Sequence, residues 1–321
     1  GERIVMFQTL KNAWAIEDLR KKILYTLLVL FVVRLGCYVP VPGVNIDYVA
    51  QQIGDNNILG FMSMITGGAL GNFTLFALGV GPYITASIIM NLLQVAIPAL
   101  ERLAKEGEEG RRKIAQYTRR FAAVLAFVQA VAILLGMGSQ AVTDTNWFNY
   151  ITIGLCLTAG AMVVMWLGER ITERGIGNGI SLIIFTGIVA RVPQQLISLV
   201  ENATIDATMI WTVPAFLFVV LLIITGVTFV DLGERRIPVQ YAKRVVGRKM
   251  YGGQSTHIPM KVNSSGVLPL IFAITLMQFP GMIASFWPNS GFYTWFNTWL
   301  GTGTPIYLVL LALLIIFFTY F

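Results

Sequence analysis

Apolar residues in this chain come in long, nearly unbroken runs. They lie at 22–39, 74–96, 121–137, 150–167, 180–199, 211–230, 264–287 and 304–321. A helix of about 20 mostly apolar residues crosses a bilayer, so the pattern predicts eight spanning helices joined by polar connections. Pro40, Pro42 and Gly43 close the first run, and an outer stretch with Asp47 and Asp55 follows. The apolar stretch from Ile58 to Ile65 is too short to cross about 30 Å of hydrocarbon at about 1.5 Å per residue. Gly67, Gly68 and Gly71 break it before Phe73. That pattern fits an interfacial helix at the rim or a re-entrant half-helix folded into a cavity, where irregular backbone at membrane depth is tolerated.

The second run carries a legible face. Val80, Ile84, Ser87, Asn91 and Gln94 fall at helical spacing on one stripe, apolar toward one end and polar toward the other. Amides cannot face lipid without partners, so this stripe faces protein or water. The sequence GIGNG at 175–179 follows a helical run and lacks dinucleotide-fingerprint spacing. It reads as the punctuation of a short turn.

Composition sharpens this picture. Of 321 residues, 56% are hydrophobic and 12% charged, about half the charged share of a soluble chain. No soluble domain is expected. Residues 1–21 form an amphipathic N-terminal segment, and the first apolar run is retained because no small-residue cleavage site follows it. Positive residues stay on the cytoplasmic side. All 23 Lys and Arg except Arg34 and Arg191 fall before the first run or in alternate loops, which places the N-terminus in the cytoplasm. Arg34 lies inside the first run and Arg191 toward the outer end of the fifth. An arginine at the bilayer centre costs about 2.5 to 3.5 kcal/mol, so Arg34 either snorkels to the outer interface or has a structural partner.

Enzyme chemistry finds little footing. The acids sit in connections or at run ends, and ion-coupled carriers usually need an intramembrane carboxylate. The one histidine, His257, lies in a polar connection, away from any serine at membrane depth. Gly107–Lys113 has the wrong order for a phosphate-binding loop. Cys37 and Cys156 sit in separate apolar runs, which suits buried thiols better than a disulfide or metal site. No cofactor is expected. The connection 232–262 is strongly basic, with Arg235, Arg236, Lys243, Arg244, Arg248, Lys249 and Lys261 against the single acid Glu234. A basic tip of that length suits docking on RNA phosphate or an acidic protein.

Four long stretches carry a family resemblance: FALGVGPYITASIIMNLLQ (76–94), KEGEEGRRKIAQYTR (105–119), MWLGERITERGIGNGISLIIFTGIVA (165–190) and YAKRVVGRKMYGGQSTHIPMKVN (241–263). Together with LPLIFA and FPGMIASFW they resemble the bacterial SecY family, in order and with matching loop lengths. The resemblance implies an all-α polytopic helix bundle with two pseudosymmetric five-span halves. The first half would be 22–200 and the second 211–321, incomplete because the family's pattern continues past Phe321 within an eighth span. It also implies a protein-conducting channel that secretes unfolded polypeptides and releases membrane segments sideways into the cytoplasmic membrane.

By the same resemblance, Val80, Ile84, Ile180, Ile184 and Ile271 match an apolar pore ring. Residues 58–72, including Ile58, Leu59, Phe61, Met62, Ile65, Gly67 and Gly68, match a plug. Ser87, Asn91 and Asn263 match a lateral gate, and Arg244, Arg248 and Lys249 a docking tip for the ribosome or the SecA motor. The implied partners are SecE-like and SecG-like small membrane subunits, SecA, the ribosome, signal sequences, nascent polypeptides and the lipid bilayer. An inverted-repeat secondary transporter is the alternative, and a pore-free insertase or scaffold a third reading.

Overall fold

The first apolar run becomes helix α1, Glu17–Gly36, which begins earlier than the run and takes up the basic cluster Arg20, Lys21 and Lys22. Glu17 pairs with Lys21 one turn on, at 2.8 Å. The computed structural model describes residues 14–55, 63, 66–205, 211–239, 244–246, 249–251, 256–262, 266, 268–285, 287, 290–301 and 303–320. After α1 the chain turns through Pro40 and Gly43 into α2, Ile46–Asp55.

Residues 66–80 depart from expectation. The second apolar run is not helical from Phe73 or Thr74 onward; it is a chain of tight turns until Gly81. Gly67, Gly68 and Gly79 hold positive φ, and so does the fully buried Phe73 at 42°. Irregular backbone at membrane depth must hydrogen-bond internally and stay away from lipid. This segment meets both conditions. Val41 N donates to Phe73 O at 3.1 Å and Leu75 N to Val39 O at 2.9 Å, and Ala69, Leu70, Phe76, Ala77, Leu78 and Val80 are all buried.

Pro82 then starts α3, Gly81–Ala96, a favoured place for proline because its missing N–H would be unpaired there anyway. Pro98 ends it: Ile97 is pushed into the extended region, and α4, Pro98–Lys105, leaves at 102° to α3. Helix α5, Glu108–Met137, leads through a short 3-10 turn to α6, Trp147–Arg174. Helix α7, Gly179–Val189, and α8, Val192–Ile205, share the fifth run but are separated at Ala190 and Arg191. Pro193 explains the break, since its ring clashes with the carbonyl four residues back.

Next comes α9, Thr212–Asp231. Its apolar window contributes no buried residue, as suits a helix that meets lipid on most sides. The basic connection is not a plain loop. Strands β1, Glu234–Val239, and β4, Thr256–Lys261, pair antiparallel from Glu234 with Lys261 to Val239 with Thr256. Between them β2, Arg244–Val246, pairs with β3, Lys249–Tyr251. Helices α10, Leu268–Ser285, α11, Gly291–Leu300, and α12, Pro305–Tyr320, complete the described chain.

Among the described residues, four helices are long and apolar enough to cross a membrane, α5, α6, α9 and Gly179–Glu201 taken across the α7–α8 break, or up to six if each of two sharply bent pairs is one span. This is fewer than the eight apolar runs. Helices α3 and α12 have only 16 residues each, and α1 carries Arg20, Lys21, Lys22 and Arg34. The chain divides into two compact units, Gly1–Pro193 with Ile274–Ala312, and Gln194–Ala273 with Leu313–Phe321. In the larger unit α3 packs on α5, α5 on α6, and α6 on α7, with α1 against α6 and α7. Small residues make this close approach possible. Ala86 of α3 meets Ala122 of α5, and Ala126 and Ala130 lie among Ile153, Leu157 and Ala161 of α6, the packing expected where lipid supplies no hydrophobic drive between helices. In the smaller unit, Phe272 and Phe318 meet edge to face with centroids 5.6 Å apart.

Candidate channel constriction and its surroundings

Val80 caps the N-terminus of α3, and Ile84 N donates to its carbonyl at 3.1 Å, the first bond of the helix. Ile180 and Ile184 stand one turn apart at the start of α7. The side chain of Asn178 fixes that start by accepting from Ile180 N at 3.1 Å and Ser181 N at 3.3 Å. These two helix beginnings contribute to one apolar cluster, mainly aliphatic, that also takes in Phe76 and Tyr25. It is built on buried Val29 and Val33 of α1, Ala69 and Phe76 of the irregular segment, and Val164, Leu167 and Ile171 of α6. Val80 is part of it, and half-buried Ile84, Ile180 and Ile184 pack against it.

The α6–α7 turn holds this geometry. Thr26 Oγ1 of α1 accepts from Ile176 N at 3.2 Å while donating to Lys22 O at 2.8 Å, and Thr172 Oγ1 accepts from Gly179 N at 2.9 Å. A side chain at Gly179 would collide with the carbonyl of Gly168, and a β-carbon at Gly168 would lie 3.1 Å from Ile180 Cγ1. The glycines of this turn therefore set how closely α7 approaches α6.

The other expected site residues are placed unevenly. Ile271 lies in α10, within the smaller unit. Of the plug residues, Gly67 and Gly68 are described, with φ of 66° and 93°; Ile58, Leu59, Phe61, Met62 and Ile65 lie outside the described residues. Ser63 is 1% exposed. Along the α3 stripe, Val80 is buried, Ile84 and Ser87 are half-buried and Asn91 is exposed. Gln94 Nε2 donates to Asn91 Oδ1 at 3.5 Å, so each amide of the stripe has a local partner. Asn263 and Arg248 lie outside the described residues, while Arg244 and Lys249 belong to the inner hairpin, paired with Tyr251 and Val246.

Sequence reasoning missed the capping role of Asn178 and the contact of Arg191 with Ser63. An Asn one residue before a glycine-started apolar run was a usable signal for the first. Arg191's exception to the charge pattern was one for the second. Charges at the other end are locally paired. Arg119 joins Glu169 between α5 and α6 at 2.8 Å, Arg170 lies over Trp166 at 5.4 Å, and Lys105 holds the exposed Glu101 carboxyl below the usual carboxylate range by donating to it.

Chemically, an aliphatic convergence of this kind binds no particular group. Its capacity is to exclude water and ions.

Residues 74–321 match the sequence model of the family described as SecY. The chain is 44% identical to the protein translocase subunit SecY of Streptomyces galbus, over 98% of this chain and 76% of that protein. It is 46% identical to the subunit of the same name from Halalkalibacterium halodurans, again over 98% and 76%. The chain belongs to the SecY family. Its fold is similar to a solved protein-conducting channel, with a TM-score of 0.64 at 20% identity, over 94% of this chain and 69% of the other. A mostly helical, multi-pass, SecY-type membrane bundle is therefore the fold class, its strands confined to the basic connection, and channel rather than enzyme the class of function. The SecY assignment leaves the secondary-transporter alternative without support.

Proposed function

We propose that this SecY-family chain lets unfolded polypeptides pass through a constriction to which Val80, Ile84, Ile180 and Ile184 contribute, with Ile271 as a further member. The supporting observation is that both pairs join one apolar cluster at the starts of α3 and α7. A channel for arbitrary sequences needs such a site: bulky apolar groups dewet the closed pore yet hold no side chain tightly when it opens. Residues 58–72 act as the plug, and Ser87, Asn91 and Asn263 line a lateral gate through which membrane segments leave for lipid.

The chain resides in the cytoplasmic membrane with its N-terminus inside, as its distribution of Lys and Arg supports. It works with SecE-like and SecG-like membrane subunits. Arg244, Arg248 and Lys249 form the tip that receives the ribosome or SecA.

Crosslinking tests the constriction. A photoreactive residue at position 84 or 184 is expected to capture a stalled secretory chain, and one at Phe229 on the exposed α9 is expected to capture lipid instead. Equal capture at all three positions would remove the proposal.

A further inference from the structure

The two arginines outside the charge pattern converge on one glycine turn. Arg34 comes from α1, and Arg191 from the break between α7 and α8. A β-carbon at Gly67 would lie 2.6 Å from Arg34 Nη1 and 2.7 Å from the carbonyl oxygen of Gly187. One at Gly68 would lie 2.5 Å from Arg191 Nη2 and 2.9 Å from its Nε. Both positions have positive φ as well, so a side chain at either would be strained, and at Gly67 it would also meet the backbone of Gly187. Arg191 Nη2 also donates to Ser63 Oγ at 3.4 Å, and Ser63 is buried.

Neither arginine belongs to any ion pair among the described residues. A cation at membrane depth is expensive and is retained where it has work to do. Here each guanidinium, with five donors and no acceptor, lies against the backbone of a turn stripped of side chains.

We propose that Arg34 and Arg191 are positioning residues for the closed channel: a two-armed clasp on the Gly67–Gly68 turn that fixes the base of the plug. The idea rests on the plug reading of residues 58–72. The clasp presses both guanidinium groups against the glycine turn and ties it to Arg191 through the hydroxyl of Ser63, so it sets where the base sits without gripping an apolar side chain. It also gives both arginines a role that charge distribution alone leaves open. Helix α1 and the break after α7 hold the turn together, so a movement of either one loosens it.

The full chain, reconstituted with its small membrane subunits, supplies the test through resting ion conductance in planar bilayers. Deletion of 58–72 is the control for the plug reading and is expected to leak. Arg191→Gln is expected to raise the open-to-closed ratio about tenfold, the scale of one lost hydrogen bond to a charged group, Arg34→Gln to raise it in the same direction, and the double variant to raise it further. Arg191→Lys, which keeps the charge, is expected to recover part of the seal.

A second readout follows the turn itself. With Cys37 and Cys156 replaced, maleimide labelling of Ala69→Cys, buried at 1% exposure, is expected to speed up about tenfold when Arg34 and Arg191 become Gln. If the double Gln variant seals and stays shielded like wild type while the deletion leaks, the clasp is overturned and the plug reading stands. If the deletion also seals, the plug reading fails and the clasp falls with it.

Discussion

Thr26 shows how much a single hydroxyl can organise. It is buried in α1, yet it accepts from Ile176 in the turn that launches α7, and so couples the first span to the helix bearing Ile180 and Ile184. Thr26→Val keeps the shape and removes the acceptor. The expected loss is about 1 kcal/mol, the net worth of one hydrogen bond, read as a lower unfolding midpoint in detergent; an unchanged midpoint would show that the turn holds itself. Phe73 is the opposite case, a buried ring in left-handed backbone at a cost of about 1 to 2 kcal/mol. Nothing in the sequence pointed to it, because the strain is imposed by the pairing of residues 39–41 with 73–75. Arg34 was partly legible: its charge marked it as unusual, but Gly67 as its neighbour required the folded chain.

At the scale of elements, apolar runs located the helices well and their ends poorly. The fifth run reads as one span and is one, Gly179–Glu201, but Pro193 puts a local break in it between α7 and α8. The second run reads as helical from residue 74, whereas Gly79, Gly81 and Pro82 delay α3. Both differences come from backbone chemistry that hydropathy does not register. The basic connection carried no strand signal because a two-stranded ribbon with neither face buried, exposed along almost all of β1, needs no alternation of apolar and polar residues. The polar half of the α3 stripe carries the gate prediction. Asn91→Leu is expected to shift the gate by the worth of one interhelical amide bond in a membrane, about 0.6 to 2 kcal/mol, and to change the export of proteins with defective signal sequences. Unaltered export of such substrates would count against a gate role for Asn91.

Over the whole molecule, a net charge of +7 goes with a strongly basic connection at 232–262. Reversing Arg248 and Lys249 to Glu is expected to weaken binding of both ribosomes and SecA, and to flatten the salt dependence of the ribosome's affinity, since fewer phosphates are neutralised. Affinity that is unchanged and insensitive to salt would place docking elsewhere. The sequence by itself determined that this is a multi-pass membrane protein, roughly where its helices lie and which loops are basic. It could do so because about 30 Å of hydrocarbon imposes a length and an apolarity on any segment that crosses it. Its long matching stretches also identified the family. Only the tertiary structure decided which residues meet. Val80 and Ile180 share a cluster, and an arginine of α1 and one from the α7–α8 break close on adjacent glycines, because close packing is settled by distances between elements far apart in the chain. Hydropathy along a single strand of text does not contain those distances.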